Sequence, residues 1–175
     1  MINLKNLTTK QKSTLHKVLV FAEKNNYDTN ELESFLEKNK WNFHSGSFKK
    51  CYRKNGLVIK FSYSVYGRRE CAREYEQWLA IPKSLRKYFA KTIAYKNDIL
   101  IQEAVKECNN PDDCKAHRNI LDKYWKKLIL SDTRYNHGHK SGELKFFDWV
   151  YYRIPEYIDS DKMLPGSKRR IINGL

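Results

Sequence analysis

The most informative part of the sequence is residues 41–63, which read WNFHSGSFKKCYRKNGLVIKFSY. Apolar and polar residues alternate over its first half, with an interruption at Gly46-Ser47. The dipeptide Asn55-Gly56 then precedes the apolar residues 57–63, and Asn-Gly between two such runs is the strongest short-range signal for a β-hairpin. We therefore predict a β-hairpin whose first strand is broken by the glycine.

Helical spacing and further turn signals lie on both sides of this hairpin. Upstream, Thr8 or Thr9 can cap a first helix and Asp28 or Thr29 can open a second one. Downstream, Asn97-Asp98 and Ser141-Gly142 are the turn signals of two further predicted hairpins. Asn110 can cap a predicted helix that lies between these two hairpins in the sequence. The expected elements are two helices in residues 8–40, one helix in 65–80, a hairpin in 91–105, a helix from 110 to about Leu130, and a hairpin in 135–147.

Composition and charge limit the class of protein. A chain of 175 residues has the length of one ordinary domain, and its 41% hydrophobic and 14% aromatic residues can form a core, which excludes disorder throughout. The 34 Lys and Arg residues outnumber the 20 Asp and Glu residues, and the net charge is +14. Such a charge attracts phosphate-rich ligands, nucleic acid or acidic protein surfaces.

The four cysteines and the N-terminus indicate the compartment. The cysteines are widely spaced apart from Cys108 and Cys114, and the chain does not begin with a basic, apolar and small-residue leader. No apolar run approaches the ~20 residues that a membrane-spanning helix needs. We expect a cytoplasmic protein without a membrane partner.

Lys60 is unusual because it lies inside an apolar run. On a strand it shares one face with Val58, while Ile59 and Phe61 lie on the other face. A buried ammonium group is costly unless it is paired. Lys60 is therefore either an edge-strand lysine that hinders aggregation or a functional group with an acidic partner.

The helix predicted in residues 65–80 offers that acidic partner. At 100° per residue, Glu74 lies at the edge of the apolar stripe of this helix. We expect Glu74 to pair with Lys60, with Glu70 as the reserve. A solvated acidic helix face is the simpler alternative.

The order of the elements and the residues at their junctions resemble a protein kinase domain, from residue 46 to about residue 150. The segment around Gly46 corresponds to the glycine-rich loop that covers the ATP phosphates. Two glycines of that loop are replaced, by His44 and Lys49, so the charge of Lys49 or Lys50 would substitute for backbone amide dipoles. The positions that the resemblance assigns to this loop and to the roof of the adenine are Gly46, Ser47, Phe48 and Cys51.

The resemblance implies further contacts with ATP. Val58 would touch the base, Lys60 would hold the α- and β-phosphates, and Glu74 would orient Lys60. The backbone of Glu103 and Val105 would lie against the adenine, as in the strand that leads into the kinase hinge. A plain buried strand is the alternative for that segment.

Three more residues resemble the catalytic and metal-binding set of kinases. Asp132 corresponds to the base that accepts the proton of the attacking hydroxyl group, and Asn136 and Asp148 correspond to the residues that hold Mg²⁺. Carboxylate and amide oxygens are the ligands that Mg²⁺ prefers. Turn-forming Asp and Asn residues in a loop are the alternative interpretation.

The resemblance implies an α+β, protein kinase-like fold with an antiparallel β-sheet N-lobe containing one helix, a reduced helical C-lobe and two leading N-terminal helices. The corresponding segments are 1–40 for the helical extension, 41–105 for the N-lobe, and 106–175 for the C-lobe with its catalytic-loop-like hairpin and basic tail. Among kinases, the chain is similar to the early protein kinases of T7-like bacteriophages. That similarity implies ATP- and Mg²⁺-dependent phosphorylation of Ser or Thr in host proteins, in the host cytoplasm.

Two other functions stay open. A catalytically inactive kinase-like protein that binds and inhibits a host factor through acidic surfaces would carry the same motifs. A nucleic-acid-binding protein ranks third, because basic residues with interleaved aromatic ones track a phosphate backbone, but no recognition motif for DNA or RNA is present. The basic residues in question are Lys38, Lys40, Lys49, Lys50, Arg53 and Lys54, around Trp41 and Phe48.

Overall fold

The computed structural model describes residue 4 and residues 6–45, 48–81, 83–107, 128–131, 137–147 and 150–153. The chain divides into two compact units. The first comprises Met1–Tyr75 and Lys91–Ala104, and the second comprises Glu76–Ala90 and Val105–Leu175.

The first unit begins with two capped helices, as predicted. Helix α1, Thr9–Lys24, starts with a capping box in which the Thr8 hydroxyl accepts from the Gln11 backbone N–H and the Gln11 side chain accepts from the Thr8 backbone N–H. Helix α2, Thr29–Lys38, starts at Asp28, whose carboxylate accepts from two backbone N–H groups. The caps thus satisfy donors that the first turn of each helix leaves unpaired.

A five-stranded antiparallel sheet follows, with one helix inserted into it. The strands lie in the order β1-β2-β3-β5-β4, so the central strand β3 is hydrogen-bonded to β2 and β5. Helix α3, Val65–Ala80, comes between β3 and β4 in the chain. The strand bounds are Asn42–Ser45, Lys50–Lys54, Leu57–Phe61, Thr92–Lys96 and Ile99–Glu103 for β1 to β5.

The prediction of a single strand interrupted by Gly46 is wrong. Residues 42–45 and 50–54 are two separate strands that pair with each other, with Ser45 opposite Lys50. A strand that reverses direction keeps its alternation on both sides of the turn, so the sequence pattern does not distinguish a turn from a break.

The three predicted two-residue hairpin turns are all present. In each, both central residues have positive φ: 51° and 75° at Asn55-Gly56, 48° and 64° at Asn97-Asp98, and 54° and 79° at Ser141-Gly142. This is the requirement of the type I′ turn, whose twist matches that of the flanking strands.

The two N-terminal helices belong to the main hydrophobic core of the first unit. Leu32 and Leu36 of α2 are fully buried, and each contributes about 1.5–3 kcal/mol by leaving water. They join a cluster with residues from one face of the sheet, among them Ile59 and Phe61. Lys60 and Val58, on the opposite face of β3, are not part of this cluster.

The second unit contains a 3₁₀ helix, Lys83–Tyr88, and two small sheets. Strands β8, His137–Lys140, and β9, Glu143–Phe146, form the predicted hairpin, and β6, Lys106–Glu107, pairs with β8. Strands β7, Leu128–Ser131, and β10, Val150–Arg153, form an antiparallel pair.

The expected helical end near Leu130 is wrong, because Leu128–Ser131 are the strand β7. Three consecutive apolar residues, Leu128, Ile129 and Leu130, fit a strand as well as a helix. The partner strand begins at Val150, 19 positions after Ser131, which is out of reach of a local pattern. Residues 110–127 of the predicted helix lie outside the described residues. Among the helices that the structure describes, none has the length and apolar character needed to cross a membrane.

Candidate functional site

Lys60 lies at the centre of the five-stranded sheet. It is opposite Cys51 of β2 and Leu100 of β5 in the two hydrogen-bonded registers, and only 4% of its surface is exposed. A lysine is almost never buried to this extent unless it is paired. The edge-strand alternative for Lys60 is thereby excluded in the folded sheet.

The partner of Lys60 is the glutamate that the sequence analysis favours. The Lys60 Nζ donates to Glu74 Oε1 at 2.7 Å, and the Glu74 side chain is 4% exposed. Glu70, the reserve, instead accepts from Arg73 on the same helix. The ion pair connects β3 to α3 and fixes the rotation of α3 against the sheet.

A second lysine binds the same carboxylate. The Nζ of Lys49 donates to Glu74 Oε2 at 3.0 Å, and the Lys49 side chain is 10% exposed. Each oxygen of Glu74 therefore accepts from a different ammonium group. The sequence pattern predicts Lys49 or Lys50 as a substitute for loop glycines, but it predicts no contact of either lysine with Glu74.

The neighbouring lysine points elsewhere. The Nζ of Lys50 donates to both carboxylate oxygens of Glu33 on α2, at 2.6 and 2.7 Å. Lys49, which precedes β2, thus contacts α3, whereas Lys50, the first residue of β2, contacts α2. Of these two lysines, Lys49 is therefore the one that shares its carboxylate partner with Lys60.

The segment that carries Lys49 lies against the start of α3. A Cβ atom added to Gly67 would collide with the Phe48 carbonyl oxygen and with the Ser62 hydroxyl group, so only glycine permits this approach. The Phe48 ring meets the Tyr66 ring edge-on, with centroids 4.7 Å apart, although 56% of Phe48 is exposed. These contacts bring Lys49 toward Glu74.

Other predicted contact residues lie on the same face as Lys60. Cys51 is opposite Lys60, and Val58 is opposite Arg53 and Gln102 in the sheet registers. Antiparallel partners point to one face, so Cys51, Val58 and Lys60 share it. Cys51 and Val58 are half-buried.

Cys71 of α3 is fully buried near this ion pair, and burial raises the pKa of its thiol to about 12. The Lys49 and Lys60 ammonium groups act in the opposite direction but do not offset burial. At neutral pH the Cys71 side chain is thus a protonated, apolar packing group rather than a nucleophile.

The predicted hinge residues are buried. The Glu103 backbone N–H donates to the Lys91 carbonyl oxygen at 2.9 Å, and the Lys91 backbone N–H donates to Glu103 Oε1 at 3.0 Å. Val105, the first described residue of the second unit after β5, is 4% exposed. The role of both residues toward adenine stays a prediction.

Glu33 is the centre of a polar cluster that the sequence analysis missed. Besides Lys50, the hydroxyl groups of Tyr52 and Tyr63 donate to it, that of Tyr52 at 2.6 Å. Burial alone would raise the pKa of Glu33, but the hydrogen bonds from the ammonium and the two phenols outweigh burial and lower it. Burial and the Glu33 carboxylate raise the pKa of both phenols.

Five predicted site residues lie outside the described residues, namely Gly46, Ser47, Asp132, Asn136 and Asp148. Described residues next to the last three of these are paired in the second unit: Ser131 is opposite Val150, and His137 is opposite Phe146. Within the described ranges, no group of three or more His, Cys, Asp or Glu residues is arranged to hold a metal ion.

The basic residues considered for nucleic-acid binding are in part engaged within the first unit. Lys49 and Lys50 pair with glutamates, and the Lys54 ammonium donates to the Asn39 carbonyl oxygen. Trp41, an aromatic residue of that group, is 7% exposed and belongs to the core. A buried indole offers no surface on which a base can stack.

Comparison with known protein families, with curated proteins and with solved structures finds no match to this chain.

Proposed function

We propose that this protein is an ATP- and Mg²⁺-dependent phosphotransferase of the protein kinase type, acting on Ser or Thr residues of proteins. The observation that carries the proposal is the buried ion pair between Lys60 on the third strand and Glu74 on the helix that follows. Protein kinases use a lysine on the third strand and a glutamate on the next helix in this way. The kinase-like fold of the two units is part of the same proposal.

The energetics of the pair favour a functional reason for it. Removing an ammonium and a carboxylate from water costs several kcal/mol per ion, and a well-packed apolar pair at the same place is often equally stable or more stable. Stability alone therefore does not account for Lys60 and Glu74. A lysine held in place by a carboxylate beside a half-buried apolar face supports phosphate binding next to a base.

The second unit supports the proposal through its strand pairing. Asp132 directly follows Ser131, and Asp148 precedes Val150 by two residues. The pairing of Ser131 with Val150 brings the chain just before Asp132 close to the chain just after Asp148, which supports a shared role for these two residues. In this proposal Asp132 accepts the proton of the substrate hydroxyl, and Asn136 and Asp148 hold the Mg²⁺ that neutralises phosphate charge.

The test combines ATP binding with phosphate transfer. Mg-ATP is expected to raise the melting temperature of the wild-type protein, since a ligand at a hundred times its Kd adds about 2.7 kcal/mol of stability. Lys60→Met is expected to abolish this shift, whereas Lys17→Met, which changes an exposed lysine of α1, leaves it intact. Transfer of labelled γ-phosphate to the protein or to proteins of a cell lysate is expected to disappear in Asp148→Ala.

A binding protein without activity gives a different result. It shows no stabilisation by Mg-ATP, no phosphate transfer, and a partner whose capture is unaffected by Lys60→Met. Either the absence of an ATP-dependent shift in the wild-type protein or unchanged transfer by Asp148→Ala would overturn the phosphotransferase proposal.

A further inference from the structure

The shared carboxylate of Glu74 binds two lysines that differ in backbone setting, contact distance and exposure. Lys60 lies within β3 and is fixed by strand pairing on both sides. Lys49 lies before the first residue of β2 and outside every strand ladder. Its contact with Glu74 is also longer, 3.0 Å against 2.7 Å, and its side chain is more exposed, 10% against 5%.

These differences matter when an anion approaches. A polyphosphate chain carries several negative charges and many acceptor oxygens, and lysine binds phosphate as a mobile point charge. Lys49 can exchange the Glu74 oxygen for a phosphate oxygen by rotating its side chain, while Glu74 keeps its shorter contact with Lys60. Lys60 makes the shorter and more buried of the two contacts, and its backbone is paired on both sides.

The sequence around Lys49 lacks the glycines with which a phosphate-binding loop contacts its ligand. A glycine-rich loop binds phosphate through backbone N–H groups that only glycine brings close enough. Residues 44–51 contain a single glycine, and Lys49 stands at the position of a missing one. The close approach of Phe48 to Gly67 orients the backbone just before Lys49 toward α3 and Glu74.

We propose that Lys49 is a second phosphate-binding residue, which moves from Glu74 to the polyphosphate of a bound nucleoside triphosphate. This inference rests on the proposed function and adds a specificity to it: the site selects its ligand by the number of phosphates rather than by the base alone. A nucleoside without phosphates makes no use of Lys49. When no ligand is bound, the Lys49 ammonium group is paired with the Glu74 carboxylate.

Calorimetric titration of the full chain with Mg-ATP, Mg-ADP and adenosine tests the inference. Lys49→Met is expected to weaken Mg-ATP binding about tenfold or more, which is the usual effect of losing one charge-assisted hydrogen bond to phosphate. Adenosine binding is expected to be unchanged, and Lys49→Arg, which keeps the charge, is expected to retain most of the affinity for Mg-ATP. Lys50→Met is the matched control, because it removes the same charge one residue away but from a lysine bound to α2.

The outcomes separate the two proposals. If the wild-type protein binds no Mg-ATP, the proposed function and this inference fall together. If the wild-type protein binds Mg-ATP and Lys60→Met abolishes binding, but Lys49→Met does not weaken it, only the role of Lys49 is overturned. An equal loss of ATP and adenosine affinity in Lys49→Met also overturns that role, because the loss then does not depend on the phosphates.

Discussion

Replacing Glu74 by glutamine perturbs the centre of the first unit most selectively. The substitution keeps the shape of the side chain but removes the charge that faces two ammonium groups, both at least nine-tenths buried. Taking one partner from a buried ion pair costs about 3–5 kcal/mol, because the remaining charge stays in a poorly solvating environment. We expect Glu74→Gln to cost about 3 kcal/mol, toward the lower limit, since the glutamine oxygen still accepts one hydrogen bond.

Removing one of the two lysines is expected to lower the free energy of unfolding by less than Glu74→Gln does. Lys49→Met leaves Glu74 bound to Lys60, so the loss is about 1 kcal/mol, that of one hydrogen bond between partly compensated groups. The effects of Glu74→Gln and Lys49→Met are expected to be non-additive, because the second substitution removes a charge that the first has left without this carboxylate. The double variant is therefore more stable than the sum of the single effects predicts.

Urea unfolding followed by far-ultraviolet circular dichroism measures these effects, with the transition midpoint and its slope recorded for each variant. Glu31→Gln, on the exposed face of α2, is the control and is expected to change stability by only a few tenths of a kcal/mol. If Glu74→Gln costs no more than Glu31→Gln, or if its effect adds to that of Lys49→Met, the Glu74 carboxylate does not compensate the charges of the two buried ammonium groups.

Two further predictions concern the loop and the polar cluster. Gly67→Ala is expected to destabilise the protein by about 2 kcal/mol through overpacking against the Phe48 carbonyl, although alanine is otherwise favoured in a helix; a more stable variant in urea unfolding would contradict the observed close approach. Glu33 has a pKa lowered from its ordinary value of 4.5, so the unfolded chain binds its proton first on acidification; its contribution is complete above pH 4.5 and is lost as pH falls through the lowered folded-state pKa. Urea midpoints measured from neutral pH down to about pH 3 should therefore fall less steeply for Glu33→Gln than for the wild-type protein, and equal slopes would refute the role of this carboxylate.

Local patterns in the sequence predict those features of the fold that depend on neighbouring residues. The caps at Thr8 and Asp28, the three type I′ turns and the two faces of β3 follow from residues at most four positions apart. The pairing of Lys60 with Glu74 was also predictable, because helical periodicity restricts which glutamate of α3 can face the sheet.

Features that depend on distant partners were not predictable in this way. The second contact of Glu74, with Lys49, requires knowing that residues 48 and 67 approach closely, and the strand β7 requires its partner β10. Glu33 has the sequence signature of any solvated helix residue, yet two tyrosines and a lysine from other elements converge on it. The clue available in the sequence is the presence of Tyr52 and Tyr63 in strand-like apolar surroundings, because a buried phenol usually needs a hydrogen-bond partner.

The position of β5 between β3 and β4 has a consequence for the order in which the chain can fold during synthesis. After β3 has left the ribosome, its second neighbour in the sheet is still about 40 residues away, which corresponds to roughly two to eight seconds of translation. Throughout that interval β3 is an unpaired edge, with α1 and α2 able to cover one of its faces but not its open hydrogen-bonding side. We therefore expect Lys60 to lie on an exposed edge strand in the nascent chain, where a lysine hinders aggregation, until β5 pairs with β3 and makes it the central strand.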